Sequence, residues 1–409
     1  MPPPFECDRL PVTADTSLSG RLIGIDLARG LAVLGMYSAH VGPDVAVGGP
    51  LGFLLETARG RSAALFAVLA GFSLVIITGR PQPLTGRAGR QAVARILIRA
   101  ALLLALGYAL IALDTDVDVI LSAYGLLFLT VVPLYRLRAR TLAVVAATSA
   151  MVLPQVLYAI RAAVENGGWA DTIIARDPVA LITDTDGVIE LLFTGEYPVL
   201  TWFPFLVAGM ALAKLDLSRP RIESRLALVG GALALLGYGG SWLALHLIPN
   251  ALPTIASAAD GGSASAAWWS DTVGTPEDHP PLAWLLVAAP HSQTTFSIIG
   301  NTGVALAVVA VCLAVAHGMP RLTTLTRPLA SVGMMALTAY VLHIVALWFF
   351  SEVWDVPAIA EDETLSALPA LLGFIAAAML LATVWAHVFR RGPLEQLLHV
   401  ATRAARSID

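Results

Sequence analysis

Charged side chains make up only 13% of the 409 residues, cysteine occurs twice, and lysine once, at Lys214. So few charges in a chain that is 57% hydrophobic exclude an ordinary soluble domain, whose core cannot absorb this many apolar runs. Cys7 and Cys312 are too few to staple loops together, and neither has partners at metal-ligand spacing, so disulfide scaffolds, redox pairs and metal sites are set aside. A net charge of -4, with no basic patch interleaved by aromatics, excludes nucleic acid as a partner. The first residues, MPPPFECDRLPVTADTSLSG, have no basic stretch followed by an apolar one; residues 1–19 read as a short flexible tail, not a signal peptide.

What the chain does have is apolar runs of a length that suits a hydrocarbon layer about 30 Å thick. Ten candidate spans cover 20–42, 60–79, 94–113, 117–135, 141–162, 196–215, 225–248, 295–317, 328–350 and 367–389. The short acidic turn Asp114-Thr-Asp-Val-Asp118 makes the third and fourth an antiparallel hairpin. The fold class is therefore an all-α polytopic membrane helix bundle of about ten spans, a single domain over 20–390 whose partner is the lipid bilayer. With both termini cytoplasmic, 20 of the 25 basic residues fall on inner segments, which satisfies the positive-inside rule. Residues 391–409 form a cytoplasmic tail, and 163–195 and 249–294 are long outer loops. The preference for Arg over Lys, with abundant Ala, suits a GC-rich bacterial genome and hence a bacterial plasma membrane. Nothing in the sequence decides between a monomer and a homodimer.

The first span carries ionisable groups that lipid normally excludes: Asp26, Arg29 and His40. Eleven residues at roughly 100° each return to within about 20° of the same helix face, so Arg29 lies deep and His40 near the outer end of one face. Asp26, three residues before Arg29, can pair with it. The plainer alternative is a structural ion pair and a helix-terminal histidine.

Other polar groups recur at the depth of His40. His291 and Ser292 open the eighth span, with Asn301 further in; Glu196, Tyr197 and Trp202 begin the sixth; Arg61 and Ser62 begin the second; and His343 lies about four turns into the ninth, one turn after Tyr340. Histidines converging with carboxylates and hydroxyls supply a general base, an orienting group and oxyanion donors. His40, His291 and His343 are the catalytic candidates, and Arg61, Ser62, Glu196, Tyr197, Trp202, Ser292 and Asn301 the acceptor-binding ones. His246, His317 and His387 read as hydrogen-bonded packing residues. The outer loops set Asp171, Asp177, Asp184, Asp186 and Glu190 beside Trp268, Trp269, His279 and Trp284, the residue types of a sugar-binding face or of an interfacial aromatic belt. On the cytoplasmic side Arg87, Arg90, Arg95 and Arg99 lead into the third span; Arg95 and Arg99 share a face at i, i+4 and suit a phosphorylated donor, although the cluster also serves as a positive-inside signal.

The segments Gly24-IDLARGLAVLGMYSAH, Gly60-RSAALFAVLAGFSL, Tyr124-GLLFLTVVPLYRLRAR, Leu192-FTGEYPVLTWFPFLVAGMALAKLDL, Pro290-HSQTTFSIIGNTGVAL, Met335-ALTAYVLHI and Arg391-GPLEQLL resemble the bacterial membrane proteins grouped as domain of unknown function 418, which are similar to heparan-alpha-glucosaminide N-acetyltransferase. The spacing of Arg29 and His40 also resembles the signature of the acyltransferase-three membrane enzymes, where that His is the presumed base. Both resemblances imply transfer of an acyl group, acetyl above all, from cytosolic acyl-CoA to an extracytoplasmic acceptor, a glycan or amino sugar. The glucosaminide acetyltransferases are thought to use a His in the outer loop after the first span; here that loop, 41–59, has none, so His40 or His291 takes its place. On this reading Asp26, Arg29, Arg87, Arg90, Arg95 and Arg99 hold acyl-CoA. The alternative is a proton-coupled transporter or flippase of a small or lipid-linked solute.

Overall fold

In the computed structural model the described residues are 16–80, 82–166, 168–183, 185–259, 263–271, 273, 280–354 and 367–408. Most of the expected tail lies outside them, as do Cys7, Asp184 and His279. The described residues form helices and connections with no strand, as a chain must whose backbone groups find no water in lipid and bond within their own segment.

The elements run α1 (Thr16–His40), α2 (Gly49–Ala58), α3 (Arg61–Thr78), α4 (Gly86–Ile111), α5 (Ile120–Val131), α6 (Ala139–Asn166), the short α7 (Trp169–Ile174) and α8 (Pro178–Thr183), α9 (Val199–Ala213) and α10 (Pro220–Ala234). A π-helical turn then leads into α11 (Gly240–Leu247), followed by α12 (Ala251–Ala258), α13 (Thr295–Gly318), α14 (Pro320–Leu325), α15 (Arg327–Met334), α16 (Ala336–Trp354), α17 (Ala367–Val388) and α18 (Pro393–Ala401). Among the described residues six helical stretches are long and apolar enough to cross a membrane, and a seventh if the bent pair α15–α16 counts as one span. α5 and α9 are apolar but shorter, and α1 carries Asp26 and Arg29 in its middle. Asp118 and Glu196, placed inside spans by the sequence reading, precede α5 and α9 and sit in the connections at their ends.

The ninth expected span is broken: α15 and α16 meet at 85° around Met335, so His343 lies about two turns into α16, not four turns into an unbroken span. Glu395 of α18 holds the freed start of α16, accepting from the backbone N–H groups of Leu337 (2.8 Å) and Thr338 (3.2 Å) and from the Thr338 hydroxyl (2.6 Å), a carboxylate at the positive end of a helix. The C-terminal segment is thus a docked helix; Gln91 of α4 also donates to the backbone carbonyls of Arg406 and Ile408.

α1 is the central element, packed among α3, α13 and α15. Close approach depends on glycine here, since a Cβ at Gly333 would fall on the carbonyl oxygen of Asp26, and one at Gly30 on that of Leu329. The described part of the expected outer loop 249–294 folds back as a cap, whose Ile255, Ala267, Trp284 and Val287 form a small core with Leu245 of α11. Trp284, 2% exposed, is a core residue of that cap and belongs neither to a belt nor to a sugar-binding face.

Candidate active site

The site gathers at the end of the bundle where α1 finishes. His40, the last residue of α1, and His343 of α16 are 2.9 Å apart, Nδ1 to Nε2. Their ring planes differ by 7° while the centroids lie 5.2 Å apart, too far for a face-to-face stack, so the rings meet edge to edge through an in-plane N–H···N bond. Tyr37, one turn earlier in α1, donates its hydroxyl to the carbonyl of Ala339 (2.8 Å) and lies against the His343 ring, locking α1 to α16 at the pair. Tyr340 meets the other side of His343 edge-on and accepts from the backbone N–H of Ile120.

His291 reaches this region from the loop before α13. It and Gln293 both have φ of 57°, the left-handed region, which costs a non-glycine residue on the order of 1–3 kcal/mol each and persists only where the surroundings enforce it. They do: Ser292 donates to the carbonyl of Ala289, Thr294 to that of Val287, Gln293 Nε2 to that of Glu196 (2.8 Å), and Thr201 to Gln293 Oε1 (2.8 Å). The strain aims the imidazole at Glu196, Nδ1 lying 2.7 Å from Oε1 but off the line of an N–H bond, so the contact is an ion pair. Burial opposes a charge on His291, but Glu196, Asp271 and Asp118 outweigh it and push the imidazole up to about 9. Burial likewise resists the charge on Glu196, yet His291 holds its carboxyl below the usual range. Burial, then the charge of Glu196, pushes Asp118 up to about 6, and burial pushes Asp271 up to about 6. These carboxylates favour the charged form of His291, which suits it to supply positive charge, and it lies close enough to His40 for the two to interact electrostatically.

Two cavities lie on opposite sides of this region. One, of about 480 Å³, opens at the His40 end between the α4–α5 turn and the segment before α9; Asp114, Asp118, Glu190 and Glu196 make it acidic, with Tyr197 beside them. The other, of about 440 Å³, opens at the far end, largely apolar but with Arg29, Ser73, Arg99, Arg391 and His399 in its wall. α5 separates them, offering Ser122 and Ala123 to the first and Leu121, Tyr124 and Phe128 to the second. Phe66, in the wall of the second, stacks on Tyr340, which touches His343, so these two aromatic rings stand between that cavity and the histidine pair. Arg29 is held by Asp26 (2.8 Å) and donates to Ser73 (2.9 Å).

The remaining candidates are distributed as follows. Trp202 packs 6.2 Å from His291, with Tyr197 between Trp202 and the acidic cavity. Arg61, 6% exposed, is engaged on all three nitrogens by Tyr238, the carbonyls of Glu56 and Arg59, and that of Trp269, and acts as a clamp between α3 and the cap. Ser62 packs against Gly35, and Ser292 is turned into its own loop. Asn301 accepts from Tyr238 (2.6 Å) and donates to Ser297. Of the arginine cluster Arg99 lines the far cavity, with Arg95 near it; Arg87 donates to the carbonyl of Ile408 and Arg90 is exposed. His246, His317 and His387 bond to Trp242, Glu223 and Thr383. Sequence reasoning missed Asp118, read as the end of the acidic turn and the start of the fourth span and not as a site residue; Asp271; and Arg391 and His399, which the docking of α18 brings to the cavity. Among the described residues no group of His, Cys, Asp and Glu has the arrangement of a metal site.

Residues 21–245 match the family described as heparan-alpha-glucosaminide N-acetyltransferase, catalytic, and residues 265–405 match the family described as protein of unknown function DUF418. The His40–His343 bond joins the two matched segments. No curated protein matches the chain.

Proposed function

The chain belongs to the family of the heparan-alpha-glucosaminide N-acetyltransferase catalytic domain, and from that premise we propose that it moves an acetyl group from cytosolic acetyl-CoA to an extracytoplasmic amine or hydroxyl, a glycan or amino sugar. It does so across a bacterial plasma membrane, in ten crossings with both termini cytoplasmic. α1, the two short helices α5 and α9, and the bent pair α15–α16 supply the crossings beyond the six long apolar stretches. In this orientation the far cavity, with Arg99 and Arg391, faces the cytosol, and the acidic cavity faces outward.

The observation that carries the reading is the His40–His343 pair, held by Tyr37 and Tyr340, with Tyr340 stacked on Phe66 in the wall of the cytosolic cavity. In the tautomer in which His40 donates from Nδ1 to His343, its Nε2 keeps a lone pair, the device by which a second group orients a catalytic base. The acceptor N–H or O–H loses its proton to His40 as its N or O attacks the thioester carbonyl carbon. The C–S bond then breaks and CoA leaves as the thiolate, which takes up a proton. The imidazolium of His291 stabilises the oxyanion that forms. Acetyl-CoA lies along the cytosolic cavity with its phosphates at Arg99 and Arg391, Arg87, Arg90 and Arg95 adding positive potential at the mouth, and with Asp26 and Arg29 setting the charge along its path. Glu196, Tyr197 and the carboxylates beside them receive the acceptor.

The test is CoA release from acetyl-CoA by the detergent-purified protein. His40→Ala is expected to lose a factor of about 10² or more, the scale of a general base, and His343→Gln, which leaves the base but not its orientation, to lose less. Full activity in His40→Ala overturns the reading.

A further inference from the structure

Two residues that line the cytosolic cavity carry buried hydrogen-bond donors that meet no acceptor. The hydroxyl of Tyr124, a residue 2% exposed, has no partner among the described residues, and neither has the buried Nε–H of Arg99. Both residues line the same cavity. A buried donor left unbonded is costly, so a protein that keeps two of them on one cavity wall points to a ligand that satisfies them. The Tyr124 ring has no freedom to swing away, since it is stacked between Phe66 (5.7 Å) and Phe128 (6.5 Å).

The α4–α5 hairpin sets the spacing of the two donors. Gly125, next to Tyr124, packs against the carbonyl of Ala100, next to Arg99, so the two residues start at one level. The helices are antiparallel, and helical side chains lean toward their own N-terminus. Arg99 therefore leans to the mouth of the cavity, where Arg391 and His399 stand, and Tyr124 leans inward, toward the histidine pair. The walls between are Leu69, Leu103, Leu121 and Phe128. A ligand complementary to this surface carries negative charge at the mouth, an apolar arm, and a carbonyl oxygen partway along it.

We infer that Tyr124 is a specificity-determining residue, donating its hydroxyl to an amide carbonyl of the pantetheine arm while Arg99 takes the phosphate end; this rests on the acyltransferase reading. Tyr124→Phe keeps the ring and deletes only the donor. Without ligand, the full-length variant is expected to melt at the wild-type temperature or above, because an unbonded buried hydroxyl has been removed. Its affinity for acetyl-CoA is expected to fall about tenfold, which is about 1.4 kcal/mol, with KM raised more than kcat is lowered. Its affinity for adenosine 3′,5′-bisphosphate, which has no arm, is expected not to change, whereas Arg99→Ala weakens both ligands.

Undiminished acetyl-CoA binding in Tyr124→Phe overturns this inference and leaves the acyltransferase reading standing. So does equal weakening of both ligands, or a lower melting temperature, since either marks a structural hydroxyl. Failure of the wild-type protein to bind acetyl-CoA at all removes the acyltransferase reading and the inference with it.

Discussion

Replacing Glu196 by Gln deletes the nearest partner of His291 while keeping its size, and the consequence is best read in the pH dependence of stability. His291 has a folded-state pKa raised from 6.5 to about 9. A raised pKa stabilises the fold fully below the unfolded value, and the stabilisation is lost as pH rises through the folded value. Between pH 6.5 and 9 the wild-type protein should therefore lose on the order of 3 kcal/mol, at 1.36 kcal/mol per unit. At about 2 °C per kcal/mol for a large chain, the melting temperature in detergent should fall by roughly 6 °C over that interval. Asp118 and Asp271, both near 6, have largely finished titrating below this window and do not mask the trend. In Glu196→Gln the melting temperature should already be lower at pH 7 and its slope above pH 6.5 shallower, with only Asp271 and Asp118 left to hold the proton. A wild-type melting temperature flat from pH 6.5 to 9.5, or equal slopes in the two proteins, would refute the cationic His291.

Two further predictions concern α1. Arg29→Gln leaves the Asp26 carboxylate half-buried without its partner and should destabilise by about 3 kcal/mol; the double variant Asp26→Asn, Arg29→Gln should recover most of that loss in the same melting assay, and additive losses would argue against the pair. Gly333→Ala drives a methyl into the Asp26 carbonyl, so α15 must move away from α1, with a cost of about 3 kcal/mol or more and loss of acetyl-CoA cleavage, because α16 and His343 follow α15.

The sequence reading found the elements that have a period or a cost in lipid. Apolar runs, the acidic hairpin turn and the ionisable residues of the first span are local signals, and His40, Arg29 and Glu196 were legible because each breaks an apolar pattern. The 85° break at Met335 was not, since Met334-Met-Ala-Leu337 is apolar at the break and Pro328 lies two turns earlier; what makes it possible is Glu395, sixty residues later, bonding the exposed start of α16. Ser292 and Arg61 carried plausible chemistry in sequence but spend their hydrogen bonds on neighbouring carbonyls. The strain at His291 and Gln293 is also invisible in sequence, because it arises from contacts with Glu196 and Thr201, remote in the chain.

The chemistry of the two cavities bears on transfer against transport. A carrier presents one site alternately to each side, so a solute must be tolerated throughout its passage. Here the cavity of Arg29, Arg99 and Arg391 is largely apolar, whereas the one at the His40 end holds Asp114, Asp118, Glu190 and Glu196. A phosphate-bearing ligand held by the first is repelled by the second, and a cationic ligand suited to the second meets arginines in the first. Phe66, Tyr124 and Tyr340 stand between, close to the histidine pair. The species that can pass such a boundary without a charge penalty is small and neutral, and an acetyl group leaving an anionic carrier on one side for an acceptor on the other meets that condition. This opposition of charge favours acyl transfer over the passage of a whole solute.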